Sequence, residues 1–472
     1  SRLPPEDTGR RVGHGAMAAV MCRTARKALR PAVRKGVSSL SVAPAPTPQR
    51  APDMALKRPD VLVVGGGVIG CSTAYHLALR GASVTVLDTR GVGASQSSKS
   101  WGFCRQQGRD VRELGLMQEA MQRWKGLEEE LGYAVGWQNV GNLALCDSEK
   151  RYVQFKKWVP LAEQYGLDTE MLDEKGIKEL LPGLAGKWIG GVWTASDGSA
   201  DPLSATRAFA KAAELRGVNF RLFAPQAKEL VIEGGRVTGV RLVDGEVLSA
   251  GTTVVAAGAW TSELVHAACS IPQLRVRATA AQTERLDDLG PAFAQFPAVG
   301  VWAPRCSFRK RLDGTMTIAD GGYAEEHDFE VFASSRYGWK FAPGYLKNPI
   351  KVNVVHDITH RRDPNPNPRR IDQAVGTFEK MFPSLPPLRI RETWAGHIDM
   401  TPDMVPVIDC GESMPQGLVV STGYSGHGLG IAPAAGRLTA DMALTGRRPL
   451  EAEVFRVDRF GEKLFFAPES VF

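Results

Sequence analysis

Three glycines and one acid near residue 60 are the residues whose types and spacing most directly suggest chemistry. Within DVLVVGGGVIGCSTAYHLALRGASVTVLD, residues 60–88, Gly65, Gly67 and Gly70 form GxGxxG. Glycine at these places permits a tight turn, a close backbone approach to a pyrophosphate and close helix–strand packing. Asp88 stands 18 residues after Gly70, close to the ~20 expected for an acid that hydrogen-bonds ribose hydroxyls. The spacing predicts a dinucleotide site.

The elements that must hold these residues can be predicted from the flanking pattern. Val61–Val64 is a short β-branched run typical of a buried parallel strand. A helix over Cys71–Arg80 ends at Gly81, and Ser83–Leu87 is a second strand. The order of strand, glycine turn, helix, strand and acid favours a dinucleotide fold over a glycine-rich turn in another α/β protein. The acid favours FAD or NAD over NADP.

Two later segments repeat the pattern of a strand that runs into small residues. Thr252–Trp260, TTVVAAGAW, ends where a cofactor could lie against a strand, although an ordinary core strand has the same pattern. Leu418–Ser421 is a strand followed by a loop with glycines at 423, 426, 428 and 430. We expect a helix from about Ala432, with Pro433 at its start and Gly446 just past its end.

This last loop distinguishes FAD from NAD. Its backbone amides and the following helix can face a group that develops negative charge, as the reduced isoalloxazine of a flavin does. A nicotinamide enzyme has no need of a second glycine loop, so an NAD-dependent dehydrogenase is the less favoured interpretation.

Charge is concentrated in one N-terminal segment. Residues 17–52 hold seven basic residues and no acid, a number equal to the net charge of the whole chain, +7. We therefore expect a nearly neutral folded part and no nucleic-acid partner. An Arg-rich, acid-free segment predicts an organelle transit peptide, mitochondrial before plastid, with a disordered basic tail as the alternative.

Cysteine spacing and hydropathy argue against two other kinds of function. The seven cysteines are scattered without the spacing of a metal site, so we expect reduced thiols and no metal. The longest apolar run, Val61–Leu79, contains three consecutive glycines and His76, so we expect no transmembrane segment.

Five motifs together resemble the D-amino-acid oxidase superfamily of FAD-dependent oxidoreductases, in its sarcosine oxidase-like and glycine oxidase-like branch. They are VVGGGVIG, SQSSKSWGFCRQQ, VVAAGAW, TPDMVPVID and TGYSGHGLGIAPAAGRL, in the family's order over about 400 residues. The resemblance implies an α/β fold, α+β overall, in which a Rossmann-like FAD domain is interleaved with a substrate domain built on a mixed or antiparallel sheet. The expected ranges are 1–57 for the leader, 58–105, 202–274 and 393–454 for the FAD domain, 106–201 and 275–392 for the substrate domain, and 455–472 for the tail.

The resemblance also implies roles for particular residues. The FAD-binding residues it implies are Gly65, Gly67, Val68, Ile69, Gly70, Asp88, Ser97, Ser98, Lys99, Trp101, Gly102, Ala227, Ala257, Gly258, Gly426, His427, Gly428 and Leu429. Within this set, Ser97–Gly102 would be a loop around the pyrophosphate. Arg105 would bind the substrate carboxylate, with Arg109 as the second candidate and a structural salt bridge as the alternative role. His427 is a candidate for a direct acid–base role, with a structural role as the alternative, and Tyr424 is a further catalytic candidate. Tyr424, His397 and Asp399 are candidates for the lining of the site, or for packing and loop hydrogen bonds.

The chain departs from the resembled family at three places. Trp394–Thr401 contains no cysteine for covalent attachment, so we expect non-covalent FAD. Gly430 stands where many members have a carboxylate-binding lysine, which disfavours N-methylglycine as substrate. No lysine lies at Thr315–Ile318, and Lys310 is off register, so either oxygen or an electron carrier is the acceptor.

Two functions follow from these expectations. The first is an FAD-dependent oxidase or dehydrogenase that oxidises the C–N bond of an amine or amino acid, of the D-amino-acid or N-methyl type, by hydride transfer to flavin N5. The second is an assembly or scaffold protein with structural FAD, which an apolar cleft without a positive group would favour.

Overall fold

Strands and helices alternate along the computed structural model, which describes residues 58–286, 296–302, 305–320, 328–332, 351–355 and 363–462. The strands are β1 (Val61–Val64), β2 (Val84–Leu87), β3 (Phe103–Cys104), β4 (Asn142–Cys146), β5 (Thr169–Leu172), β6 (Gly190–Thr194), β7 (Gly198–Ser199), β8 (Asn219–Arg221), β9 (Ala227–Glu233), β10 (Arg236–Leu242), β11 (Val247–Ser249), β12 (Thr252–Val255), β13 (Leu274–Thr283), β14 (Ala298–Trp302), β15 (Arg305–Lys310), β16 (Met316–Ala319), β17 (Asp328–Phe332), β18 (Lys351–Val355), β19 (Ile390–Met400), β20 (Val407–Asp409) and β21 (Leu418–Thr422). The helices are α1 (Val68–Leu79), α2 (Gln96–Lys99), α3 (Val111–Leu131), α4 (Glu149–Lys156), α5 (Trp158–Gln164), α6 (Glu174–Leu180), α7 (Pro202–Glu214), α8 (Thr261–Val265), α9 (Pro368–Met381), α10 (Gly428–Thr445) and α11 (Arg459–Glu462), with 3-10 turns at Gly258–Trp260 and Leu450–Phe455.

The first sheet has six strands in the order β20–β21–β12–β1–β2–β8, and its pairings are parallel except for β20 with β21. Its central strand is buried on both faces. Val61 and Val63 face the helix side, whereas Leu62 and Val64 face the opposite core. The chain leaves β1 toward β2 on one side and β12 lies on the other, so the carboxyl ends of these strands form the crevice where open α/β sheets bind ligands.

Helices cover one face of this sheet, and a small antiparallel sheet of β9, β10 and β11 covers the other. Helices α1 and α10 cross closely, since a Cβ on Gly436 would lie 2.1 Å from the Ser72 hydroxyl oxygen. Ser72 Oγ donates to the Ala432 carbonyl and Trp124 Nε1 donates to the Gly430 carbonyl. These contacts hold the first turns of α10 against α1 and α3.

The second sheet has ten described strands, of which β13 and β19 form the longest pair. Its strands run in both directions, as β14 pairs parallel with β4 but antiparallel with β15. The fold class expected from sequence, mixed α/β with two kinds of sheet, is confirmed. The predicted domain ranges stay a prediction, and β19 belongs to the larger sheet although it crosses the proposed boundary at 393. The leader, 1–57, lies outside the described residues.

Three predicted element bounds are wrong. Helix α1 begins at Val68 rather than Cys71, because Gly67 is its N-cap and the helix follows the glycine turn directly. Helix α10 begins at Gly428 rather than Ala432, so Pro433 lies inside the helix. The predicted loop at Ser97–Gly102 starts as the helical turn α2. Among the described residues, no helix combines the length and the hydropathy needed to cross a membrane.

Candidate active site

The first glycine turn joins β1 to α1 at the edge of a deep cavity. Gly65 has a φ of +115°, and its amide donates to the Leu87 carbonyl at 2.8 Å. A Cβ on Gly65 would lie 2.3 Å from the Ala256 carbonyl oxygen, and one on Gly70 would lie 1.9 Å from the Gly65 carbonyl oxygen. The turn therefore needs glycine for both conformation and close packing. It brings the N-terminus of α1, with Val68 and Ile69, to the cavity wall.

Asp88 closes this turn from the end of β2. Its Oδ2 accepts the Gly66 amide at 2.7 Å, and its Oδ1 accepts the amides of Arg90 and Gly91. A carboxylate has about four lone-pair sites, so one remains on Oδ2 for a hydroxyl in the cavity. Asp88 lines that cavity.

The segment after β2 forms a second wall, in which most but not all of the predicted residues reach the cavity. Ser97 Oγ accepts the Val68 amide at 2.9 Å, and Lys99, Trp101 and Gly102 also line the space. Ser98 does not line the cavity, and its hydroxyl donates to the Ser95 carbonyl one turn earlier. The structure therefore does not bring Ser98 to the cavity, and Gly70 also stays beneath the turn.

A buried carboxylate, Asp399 on β19, ties the walls together. Its Oδ2 accepts the Gly423 amide at 2.9 Å, and its Oδ1 accepts Gln96 Nε2 at 3.0 Å. Gln96 Oε1 in turn accepts the Ala259 amide. Burial raises the pKa of Asp399, an effect opposed by the hydrogen bonds from Gly423 and Gln96. Gln96 was missed by sequence reasoning, although it lies next to the predicted hydroxyl-rich segment.

The C-terminal glycine turn faces the first one across the cavity. Gly423, Ser425 and Gly426 all have positive φ, so the backbone folds back sharply before α10 begins. Gly426, His427, Gly428 and Leu429 line the cavity, and so do Ala257 and Gly258 after β12 and Ala227 at the start of β9. Three separate segments of the first sheet thus converge on one space.

Tyr424 reaches the cavity and also makes the local hydrogen bond that was the alternative to a role in the site. The side chain lines the cavity, but its hydroxyl shares a 2.7 Å hydrogen bond with Ser421 Oγ, which also contacts Thr439. Burial raises the pKa of Tyr424. A buried, hydrogen-bonded phenol of this kind holds the turn against α10 and is a poor acid or base at neutral pH.

The cavity is rich in cations beside the second glycine turn, where Gly430 packs against Cys104 and Arg105. Arg105 is half-buried and donates to the Gln107 carbonyl, and Arg109 Nε donates to the Arg105 carbonyl at 3.2 Å. Asp197 holds this segment by accepting the amides of Gln106 and Gln107. Arg305 and Arg370 from the larger sheet and α9 also line the cavity, and Arg370 forms an ion pair with Asp320 at 2.9 Å. The four arginines outnumber this carboxylate, so this part of the site is positive.

A further cation lies behind the wall. Arg309 is fully buried on β15 and donates to the Trp101 carbonyl. Sequence reasoning missed it because it searched for lysine at 315–318, whereas β15 places Arg309 inward and Lys310 partly outward. Arg309 pairs with Thr317 in the register of the sheet, so it reaches the place where a cation was sought.

These features fit FAD. The cavity of about 610 Å³ is within the ~300–1,000 Å³ typical of cofactor and ligand sites. The start of α1 offers backbone amides suited to a pyrophosphate, and Asp88 has a lone pair for a ribose hydroxyl. The second glycine turn, with the start of α10, would face the isoalloxazine and offer backbone amides to it.

Comparison with known proteins identifies the family. The family model described as FAD dependent oxidoreductase, DAO, matches residues 60–442. The chain belongs to this family. The resemblance predicted from the five motifs is thereby confirmed, and so is the expectation of FAD dependence.

Curated relatives of this DAO-family chain are dehydrogenases. A D-amino acid dehydrogenase of Methylobacterium nodulans is 27% identical over 448 residues, covering 82% of this chain and 96% of the relative. The mitochondrial sarcosine dehydrogenase of Homo sapiens is 25% identical, covering 87% of this chain but only 42% of the relative. The chain thus spans under half of that second protein.

Solved structures show the same fold. L-proline dehydrogenase from P. horikoshii superposes with a TM-score of 0.71 and 25% identity, covering 86% of this chain and 98% of that one. L-amino acid deaminase from Proteus vulgaris has a TM-score of 0.75 and 22% identity, covering 85% and 97%. The second likeness concerns the fold alone.

Proposed function

We propose that this chain oxidises the C–N bond of an amino acid or amine, of the D-amino-acid or N-methyl type, with FAD held non-covalently. The observation that carries the proposal is one cavity lined by two glycine turns and, beside the second turn, by Arg105 and Arg109. When bound, FAD accepts a hydride at flavin N5, which is the chemistry that this oxidation requires. The names of the dehydrogenase relatives support the same substrate class.

The residues proposed to hold FAD are those predicted from the sequence, without Ser98 and Gly70, which do not line the cavity. The turn at Gly65–Ile69, with Asp88 and Ser97, would bind the ADP half, and the turn at Gly426–Leu429 would face the flavin. Two observations support non-covalent binding. Among the described residues that line the cavity there is no cysteine. Burial raises the pKa of the nearby Cys104 thiol, so it stays protonated and a poor nucleophile.

The protein's own contribution is to place the substrate. Arg105 would bind the carboxylate through parallel hydrogen bonds, which a guanidinium forms better than an ammonium does. Holding the carboxylate fixes the Cα–H or N-methyl carbon over the flavin, and such positioning lowers the barrier without a strong base at the carbon. The arginines in the cavity also argue against the scaffold alternative, for which we expected an apolar cleft without a positive group.

Arg105→Met should raise the KM for the amino acid by about 10- to 100-fold, the effect of losing one charged hydrogen-bonded pair. FAD content, measured from the visible spectrum, should stay unchanged, and Arg105→Lys should recover only part of the loss. The matched control is Arg207→Met, because Arg207 is an exposed cation on α7. Loss of FAD from the Arg105→Met protein, with an unchanged KM, would assign Arg105 to structure instead.

The function is tested with purified protein in the absence of air. We expect a yellow protein whose flavin bleaches when D-alanine or N-methylalanine is added, and whose FAD is released by acid precipitation. Re-oxidation on admitting air would identify oxygen as the acceptor, and re-oxidation only by an added quinone would identify a carrier. A yellow protein that none of a panel of D- and N-methyl amino acids bleaches would support the scaffold alternative.

We also propose a mitochondrial location. The basic, acid-free segment at residues 17–52 has the composition of a transit peptide, and relatives from mammals are named as mitochondrial. A fluorescent fusion carrying residues 1–57 should follow a mitochondrial marker, and the same fusion with its seven basic residues at 17–52 changed to glutamine should not.

A further inference from the structure

A buried carboxyl that the sequence analysis did not single out lies directly behind the candidate site. Glu113 is the third residue of α3 and only 1% exposed. Its Oε2 lies 3.5 Å from Nδ1 of His427, the residue that precedes α10. Within the described part of the chain, neither Glu113 Oε1 nor His427 Nδ1 has a hydrogen-bond partner. The Glu113 carboxyl and the His427 ring therefore face each other in the interior, and no hydrogen bond within the described residues ties up Oε1 or Nδ1.

His427 connects Glu113 to the cavity. His427 lines the cavity, and its side chain makes no capping bond to α10 although it occupies the N-cap position. Since Nδ1 faces Glu113, Nε2 is the ring nitrogen on the side away from Glu113. A proton taken up at Nε2 can thus be balanced by one given up at Nδ1, across a single imidazole.

The surroundings favour uncharged forms of both groups. Burial raises the pKa of Glu113 to about 8, with Arg109 and Arg112 acting to lower it and Asp110 and Asp403 acting to raise it. Burial, Arg109 and Arg105 all lower the pKa of His427. Arg459 pairs with Asp403 at 3.0 Å, which partly offsets the charge of that carboxylate. Tyr424 is a further titratable neighbour of Glu113. Proton uptake by the pair therefore ends on Glu113 and leaves the imidazole neutral.

We propose that Glu113 and His427 form one acid–base pair that removes the ammonium proton of the bound amino acid before its oxidation. The step starts with Glu113 as carboxylate and His427 protonated on Nδ1. Nε2 accepts the substrate's N–H proton while Nδ1 passes its proton to Glu113. The products are a neutral amine, Glu113 as carboxylic acid and His427 protonated on Nε2. Total charge is conserved, no imidazolium forms, and Glu113 acts as a positioning residue through His427. This inference rests on the proposed function.

The first test needs no substrate. Glu113, whose pKa is about 8 in the folded protein against an ordinary value of 4.5, binds its proton more tightly in the folded state. Its contribution to stability is therefore full at low pH and falls as pH rises from 4.5 to 8. We expect the Tm of the FAD-bound wild type to fall relative to Glu113→Gln across that window. Glu119→Gln, on the same helix but in an ion pair with Arg437, should follow the wild type. Parallel curves for wild type and Glu113→Gln would overturn the proposal.

The second test follows anaerobic flavin reduction by D-alanine or N-methylalanine in a stopped-flow instrument. The wild-type rate constant should rise with pH through about 8, while Glu113→Gln should lack this step. At pH 9 the variant should be about 100-fold slower, the usual scale of acid–base assistance, with an unchanged saturation constant. In a His427→Gln background, Glu113→Gln should add less than about twofold.

The outcomes separate this proposal from the proposed function. A wild-type pH profile retained by Glu113→Gln, or independent effects of the two substitutions, would overturn the pair. If neither amino acid bleaches the wild type, the proposed substrate class fails while the unfolding test still decides the state of Glu113. Should Glu113→Gln not fold, Glu113→Met, of similar volume and without charge, replaces it in both tests.

Discussion

Replacing Gly65 with alanine is expected to abolish FAD retention and to lower the free energy of unfolding by about 3 kcal/mol. The backbone at Gly65 has a φ of +115°, a conformation that alanine adopts only with strain. The new Cβ would also lie 2.3 Å from the Ala256 carbonyl oxygen, so β1 and β12 must separate at the edge where the cofactor is proposed to bind. Urea unfolding and the flavin absorbance after gel filtration measure the two effects.

Gly81→Ala is the matched control for backbone strain. Gly81 has a φ of +80° but no atom within 4 Å of an added Cβ. Gly81→Ala should lower the free energy of unfolding by about 1–2 kcal/mol and leave FAD bound. If both variants kept FAD equally well, the close contact between the strand ends would not be what forms the site.

Removing the Asp399 carboxylate should lower the free energy of unfolding by about 3–5 kcal/mol, the second large effect we expect. In Asp399→Ala the Gly423 amide and Gln96 Nε2 lose a buried acceptor, and Gln273 Nε2 and Thr422 Oγ1 lose longer contacts of 3.4 Å. Because these donors belong to the two walls of the cavity, we also expect weaker FAD retention. Differential scanning fluorimetry with and without added FAD would show both effects.

Two comparisons make this result specific. Asp399→Asn keeps one acceptor oxygen and should be intermediate. Asp372→Ala removes an exposed carboxylate on α9 and should stay within about 0.5 kcal/mol of the wild type. An Asp399→Ala protein as stable as the Asp372→Ala protein would mean that the donors around Asp399 find other partners.

Much of the fold could be predicted because its signals are local. β1 has the predicted bounds, since four consecutive apolar residues between an acid and a glycine turn leave little choice of where the strand begins and ends. The start of α10 could not be predicted in the same way. Glycines at 428 and 430 read as loop residues, but Trp124 and Ser72 hold that segment as a helix from neighbouring elements.

Site residues that belong to short motifs were predicted from the sequence, whereas site residues whose roles depend on distant partners were missed. Gly65, Asp88 and His427 belong to recognisable segments, and all line the cavity. Gln96, Arg309 and Glu113 have no motif of their own, because their roles depend on partners far along the chain. Gln96 bonds Asp399 303 residues away, Arg309 bonds Trp101 208 residues away, and Glu113 faces His427 314 residues away. No spacing rule over a short window can indicate such pairs.

The amino-acid order alone determined that this protein has a dinucleotide turn, a second glycine turn and an FAD-family architecture, because each depends on glycines at short, fixed spacings. Only the tertiary structure decided which side chains surround the proposed FAD site. In the folded chain Tyr424 bonds Ser421, Arg309 bonds Trp101 behind the cavity wall, and Glu113 faces His427. The physical reason is that desolvation and hydrogen-bond partners, which set the chemistry of these side chains, exist only after distant segments have packed together.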